Sequence, residues 1–311
     1  LRGALGASEA FVKGFWQSSD LVKLVRILVL NEKVLLSFEK GFLNFFTKPA
    51  LFALKILSRN TLKGSEINIK AHYDLSNEMF HLFLDRSLMY SSAFFENKSM
   101  SLFEAQETKL RRICEKLKLE NHDHILEIGT GWGAFACFAA KNYGVKVTTT
   151  TISKEQYNYT KKLIKKEGLT DKVTLLFKDY RKLEGEYDKL VSIEMIEAVG
   201  ADFLAEFMKV CSERLKPNGQ MLIQAITIPD QRYKQALKEV DFIKRYIFPG
   251  SFIPSVHAIL RSNLKESDLK LSHLEDMTPH YAQTLSIWRK KFLEKQDEIK
   301  NLGFDGEFIK L

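Results

Sequence analysis

Apolar runs and helical periodicities alternate along the second third of the chain. His124-Ile125-Leu126-Glu127-Ile128 is a short apolar strand, and Trp132 to Tyr143 has helical spacing. Val145 to Thr151 is β-rich through its valines and threonines. Ser153 to Glu167 reads as a helix with Ser153 as its N-cap. Val173 to Phe177 and Tyr187 to Ile193 are a third and a fourth strand. Ala201 to Leu215 follows as a helix closed by Lys216-Pro217-Asn218-Gly219, and Gln220 to Ile226 as a fifth strand. Strands and helices alternating at this spacing predict an α/β fold with a doubly wound, mostly parallel sheet.

Upstream the pattern is helical. Residues 67–120 end in Glu104 to Leu119, whose apolar positions lie three or four apart. Residues 1–66 are rich in Leu, Phe and Lys and are punctuated by Pro49 and Gly64. They form a small helical unit ahead of a main domain over residues 67–311. Leu21-Val22-Lys23-Leu24-Val25-Arg26-Ile27-Leu28 interleaves basic and apolar positions. Such a face either packs against the main domain or meets an anionic bilayer.

Composition narrows the class. The chain has 311 residues, 45% of them hydrophobic, which suits a globular protein rather than a disordered one. A net charge of +8 suits anionic partners, whether nucleic acid, an acidic membrane surface or phosphorylated substrates. Cys114, Cys137 and Cys211 are far apart and form no CxxC, so a disulfide framework or zinc site is not expected and a cytoplasmic setting is. No uncharged apolar run reaches the ~18 residues of a membrane span. Residue 1 is not Met, so the chain is expected to begin inside a longer polypeptide.

The candidate chemistry begins where the first strand ends. Gly129, Gly131 and Gly133 follow Glu127 immediately, and glycines there let a ligand approach the backbone beyond the carboxyl ends of a parallel sheet. Gly129-x-Gly131-x-x-Ala134 also meets a relaxed dinucleotide fingerprint. That fingerprint expects an acid at the end of the second strand, where Thr148 to Thr151 stand; the next acid, Glu155, falls inside the following helix. The sequence therefore favours S-adenosylmethionine, with Glu127 directed at its methionine end. Asp179 and Tyr180 after the third strand either border the adenine or form a capped loop.

A set of motifs in matching order resembles the cyclopropane fatty acid synthases. It runs through His72-Tyr73-Asp74-Leu75-Ser76-Asn77, Met89-Tyr90-Ser91-Ser92-Ala93-Phe94-Phe95, Glu104-Ala105-Gln106 with Lys109, and Gly131-Trp132-Gly133. It continues through Thr151-Ile152-Ser153-Lys154-Glu155-Gln156, Glu197-Ala198-Val199-Gly200, Tyr246-Ile247-Phe248-Pro249-Gly250, and His280-Tyr281 to Trp288. The resemblance implies a seven-stranded type of methyltransferase sheet whose last strands would follow Leu311. It also implies transfer of a methyl to a cis double bond of a phospholipid acyl chain, proton loss and ring closure.

In that family a bound bicarbonate is the expected base. The resemblance implies that it is held by Glu197, Tyr281 and the backbone of Ile226. Ser92 and Gln224 stand where the family has a cysteine and a histidine, and either can still hydrogen-bond an oxyanion. Tyr73 falls at an active-site tyrosine, and Tyr90, Ser91, Thr151, Ile152 and Gln156 fall at cofactor-contacting positions. The implied partner is an unsaturated phospholipid in an anionic membrane surface, with peripheral attachment to the membrane; a homodimer stays open. Methyl or methylene branching of the acyl chain and small-amine N-methylation are rival outcomes. A nucleic-acid substrate is not expected, because Glu194-Met195-Ile196-Glu197 stands where an Asn/Asp-Pro-Pro-aromatic motif would follow the fourth strand.

Overall fold

The computed structural model describes residues 3–31 and 77–311. Five parallel strands form one sheet: β1 (His124–Ile128), β2 (Lys146–Thr151), β3 (Val173–Phe177), β4 (Tyr187–Ile193) and β5 (Leu215–Gln224), in the order β3-β2-β1-β4-β5. The chain winds outward from β1 in both directions, so the crevice between β1 and β4 is the switch point where this architecture binds ligands.

Helices precede the sheet and alternate with its strands. They are α1 (Gly3–Val12), α2 (Leu21–Leu30), α3 (Asn77–Phe83), α4 (Leu102–Lys116), α5 (Ala134–Tyr143), α6 (Lys154–Lys166) and α7 (Leu204–Glu213). After β5 come α8 (Asp230–Ala236), α9 (Val256–Glu266), α10 (Thr278–Glu294), α11 (Gln296–Asn301) and α12 (Gly306–Lys310). One core packs Leu110, Ile113, Phe135 and Ile164 on β1 and β2; the other packs Phe207, Met208 and Cys211 on β1 and β4. A third, aromatic cluster joins Phe80, Phe83 and Trp288 to Trp132 in the glycine loop. Cys114, Cys137 and Cys211 are all free and buried, as small core residues.

Four of the differences from the sequence pattern have a clear local reason. Residues 84–101 are irregular rather than helical. The Asp85 carboxylate accepts from the Ser87 amide at 3.0 Å, and Leu88 takes φ 53°, which ends the helical path. The helix read from Trp132 starts at Ala134, because Gly133 is left-handed at φ 88°. The helix read from Ala201 opens with a short 3-10 turn over Ala201–Phe203. β5 starts at Leu215 and absorbs Lys216-Pro217-Asn218-Gly219. Leu215 pairs with Tyr187 and Gln220 with Lys189, so the turn-like segment is an excursion within an edge strand.

Of the unit over residues 1–66, α1 and α2 are described. Glu9 on α1 accepts from the Tyr246 hydroxyl at 2.8 Å and pairs with Arg245 at 3.5 Å, which ties α1 to the main body. Among the described residues no helix is long and apolar enough to cross a membrane.

Candidate active site

Every strand delivers its carboxyl end to the same edge of the sheet, so the candidate residues converge there from distant parts of the chain. At the end of β1, Glu127 is buried. Thr149 of β2 donates to its Oε2 at 2.5 Å, and the Thr130 hydroxyl hydrogen-bonds Thr149 in turn. Burial raises the Glu127 carboxyl to about 8, opposed only by the Thr149 hydroxyl. Its Oε1 has no hydrogen-bond partner among the described residues.

The glycines after Glu127 do different things. A Cβ on Gly133 would sit 2.7 Å from Thr160 Cγ2 of α6, so this position sets helix packing. Gly131, at φ 53°, faces open space. That is the cradle a cofactor needs, with backbone exposed beside an unsatisfied carboxyl.

A cleft beside the loop is lined by Ile128, Thr150, Thr151, Ile152, Asp179, Tyr180, Met195 and Val199. Four residues read from sequence as cofactor contacts, Thr151, Ile152, Asp179 and Tyr180, thus share one surface. Gln156 belongs to it at one remove, accepting from the Thr151 hydroxyl at 2.9 Å. Asp179 is engaged by Arg181, whose Nε and Nη2 donate at 2.9 and 2.7 Å. Tyr180 packs edge-on to Phe207 at 5.4 Å, and its buried hydroxyl has no partner. Burial holds that phenol above its ordinary range. An orphaned hydroxyl, an open glycine and an unsatisfied carboxyl fit a ligand that is polar at both ends.

A second constellation sits at the end of β4. Glu197 is half-buried; its Oε1 accepts from the Ile226 amide at 2.5 Å, and its buried Oε2 has no partner. Burial and the neighbouring Glu194 charge raise Glu197 to about 8. Burial, with the same two carboxylates adding to it, holds the Tyr281 phenol above its ordinary range. Glu194 adopts φ 46° and is half-buried. Its Oε1 accepts from the Ser92 amide and from Gln224 Nε2, each at 2.8 Å. Burial raises Glu194, while Lys109 and these two donors oppose the rise.

Lys109 lies behind the pair. Its side chain is buried, donates to Ser91 Oγ at 2.6 Å, and is lowered to about 7 by desolvation, against the pull of Glu194 and Asp85. Tyr90 stands next to Ser91 in the aromatic layer, 5.3 Å from Trp288 and 5.4 Å from Phe80.

The structure therefore brings Ser92, Glu197, Gln224, Ile226 and Tyr281 together, with two differences from the sequence reading. The Ile226 amide is engaged by Glu197, and Ser92 contributes its backbone N–H rather than its hydroxyl, which donates to Ala93 O at 3.1 Å. Tyr73 lies outside the described residues. Glu194 and Lys109 were not singled out as site residues. The signals were present: a lysine on the apolar stripe of α4, and a carboxylate directly after a buried strand.

The family profile for mycolic acid cyclopropane synthetases matches residues 60–311. The tuberculostearic acid methyltransferase UfaA1 of Mycobacterium tuberculosis is 32% identical over 99% of this chain and 73% of its own length. The cyclopropane-fatty-acyl-phospholipid synthase of Escherichia coli is 33% identical over 96% of this chain and 74% of its own. Among solved structures, the mycolic acid cyclopropane synthase CmaA1 complexed with SAH and CTAB superposes with a TM-score of 0.73. It is 28% identical, over 79% of this chain and 89% of that one.

Proposed function

Since the chain belongs to the mycolic acid cyclopropane synthetase family, we propose that it alkylates a cis double bond in a phospholipid acyl chain and closes a cyclopropane ring. S-adenosylmethionine, when bound, supplies the electrophilic methyl. Gly131, Glu127, Thr151 and Tyr180 are the residues that would hold it. The observation that carries the reading is the carboxylate pair Glu194 and Glu197 beside the cofactor cleft, both raised by burial, with Tyr281 of the aromatic cluster close to each. An alkene that accepts a methyl becomes a carbocation. It needs negative charge nearby, a proton acceptor, and no water. An amine acceptor needs neither a second buried carboxylate nor a dry wall.

Methyl branching is the second reading. It is favoured by the 32% identity to a tuberculostearic acid methyltransferase. The same cation leads to both products; which proton leaves, and when, decides between them.

The lipid surface is proposed from α2. Val22, Val25, Ile27, Leu28, Val29 and Leu30 are exposed on it beside Lys23 and Arg26, and the chain carries +8. Apolar side chains flanked by cations suit the interface of an anionic bilayer. The test is incubation with methyl-13C-labelled cofactor and monounsaturated phospholipid vesicles, read by NMR of the extracted lipid. Ring methylene signals support cyclopropanation, and vinylidene signals move the reading to branching. Label absent from the acyl chains rejects both.

A further inference from the structure

The bicarbonate expected as the base does not fit this pocket. Ser92 and Gln224, the two residues expected to grip it, both donate to the Oε1 atom of Glu194. The Ile226 amide, expected as another donor, is engaged by Glu197. A free anion would be a third carboxylate in a buried site where Lys109 is the counter-charge, and burying unpaired charge is costly.

We propose that Glu194 is itself the proton acceptor, a carboxylate of the chain seated where a diffusible oxyanion would otherwise bind. The inference deepens the proposed acyl-chain alkylation and rests on that reading. Three observations carry it. Oε1 is held from two sides at 2.8 Å, while Oε2 has no hydrogen-bond partner among the described residues and is left to receive a proton. The backbone at Glu194 is left-handed, φ 46°, an uncommon conformation for a side chain of this size. Backbone strain of this kind gathers at functional sites. Lys109 and Glu197 flank Glu194: the lysine favours its ionised form, and the Glu194 charge adds to the burial that raises the Glu197 carboxyl.

The step balances. The alkene π pair makes the new carbon–carbon bond while the carbon–sulfur pair stays on sulfur, leaving a cation on the acyl chain. A proton leaves the added carbon for Glu194 Oε2. The carbon–hydrogen pair becomes the second ring bond or, after a hydride shift, the π bond of a methylene branch. The proton leaves Glu194 before the next turnover.

Two variants and one spectroscopic measurement test this. In buffer stripped of carbon dioxide, the unaltered protein should alkylate vesicle phospholipid at a rate indifferent to added bicarbonate. Glu194→Gln keeps the size and an acceptor oxygen, and should lose turnover by roughly 100-fold or more with cofactor affinity unchanged. Glu194→Gly suits the left-handed backbone and opens the seat. It should be inactive in stripped buffer, regain turnover with bicarbonate or formate, and broaden the 13C-bicarbonate NMR signal saturably, where the unaltered protein does not.

The proposal is overturned if the unaltered protein stalls without bicarbonate, or if Glu194→Gln turns over normally in stripped buffer. It also falls if folded Glu194→Gly takes up no anion. Should Glu194→Gly fail to fold, Glu194→Gln decides. Should the unaltered protein bind cofactor yet alkylate no lipid, the proposed function fails instead. The NMR titration then still judges the seat, since saturable bicarbonate binding by the unaltered protein would contradict it.

Discussion

The carboxyl ends of β1 and β4 are neighbours in the sheet, and each presents buried acid in a different company. Glu127 at the end of β1 is surrounded by neutral hydroxyls, Thr149 and then Thr130, and rises to about 8. Glu194 and Glu197 at the end of β4 have each other and Lys109. The first arrangement is a site waiting for a cation. An ammonium group beside Glu127 would return the carboxyl to its ionised form. The second already contains its counter-charge in Lys109. One end is built to bind and the other to react.

The sharpest way to break that division is Glu197→Gln. It should reduce turnover by roughly 10²- to 10⁴-fold and leave cofactor affinity unchanged, because Glu197 belongs to the reacting end. Parallel kinetics and calorimetry check this, and a variant with normal turnover removes Glu197 from the chemistry. Next is Gly133→Val, which puts side-chain atoms where a Cβ already lies 2.7 Å from Thr160, at φ 88°. Overpacking and backbone strain together should cost about 2–5 kcal/mol in urea unfolding. An unchanged midpoint would show that the loop–helix contact is loose. Third is Glu127→Gln, the mirror of the first. Cofactor affinity should fall by about 1.5–3 kcal/mol as a charged hydrogen bond is lost, with saturated turnover largely kept. The reverse pattern would erase the distinction between the ends.

The smallest effect is a pH slope. Glu127 and Glu197 are raised from 4.5 to about 8, so their contribution to stability is complete below 4.5 and is lost as pH rises towards 8. Lys109 is lowered from 10.5 to about 7, so its contribution is present above 10.5 and lost as pH falls through 7; well below 7 it adds no slope. Between about pH 5 and 6.5 the ligand-free protein should therefore become less stable as pH rises, by at most about 1.4 kcal/mol per unit for each retained proton. Glu127→Gln should flatten that slope in thermal unfolding. A slope of the opposite sign would place both carboxyls in the ionised form.

The binding end was largely legible in the sequence because it is local. Strand, Glu127 and three glycines lie within ten residues, and the alternation of strands and helices predicted the parallel sheet that presents them. The reacting end was legible only through motif order. Ser92, Glu197, Gln224 and Tyr281 come from four separated segments, and no periodicity says that they meet. Glu194 escaped because its role depends on a donor a hundred residues away and on a left-handed backbone that composition does not announce. Lys109 was named only as part of a motif, and its burial behind the acids shows what it does there. The turn residues Pro217 and Gly219 misled for a related reason: edge-strand pairing tolerated them within β5.

The account stands most directly on where the methyl goes. The protein should be given methyl-labelled S-adenosylmethionine and anionic phospholipid vesicles, one set monounsaturated and one saturated, and the acyl chains analysed by mass spectrometry and NMR. The account predicts one added carbon per modified chain, at the former double bond, in the unsaturated set alone. Label on a headgroup or a free amine, or cofactor bound without any transfer to unsaturated chains, would contradict it.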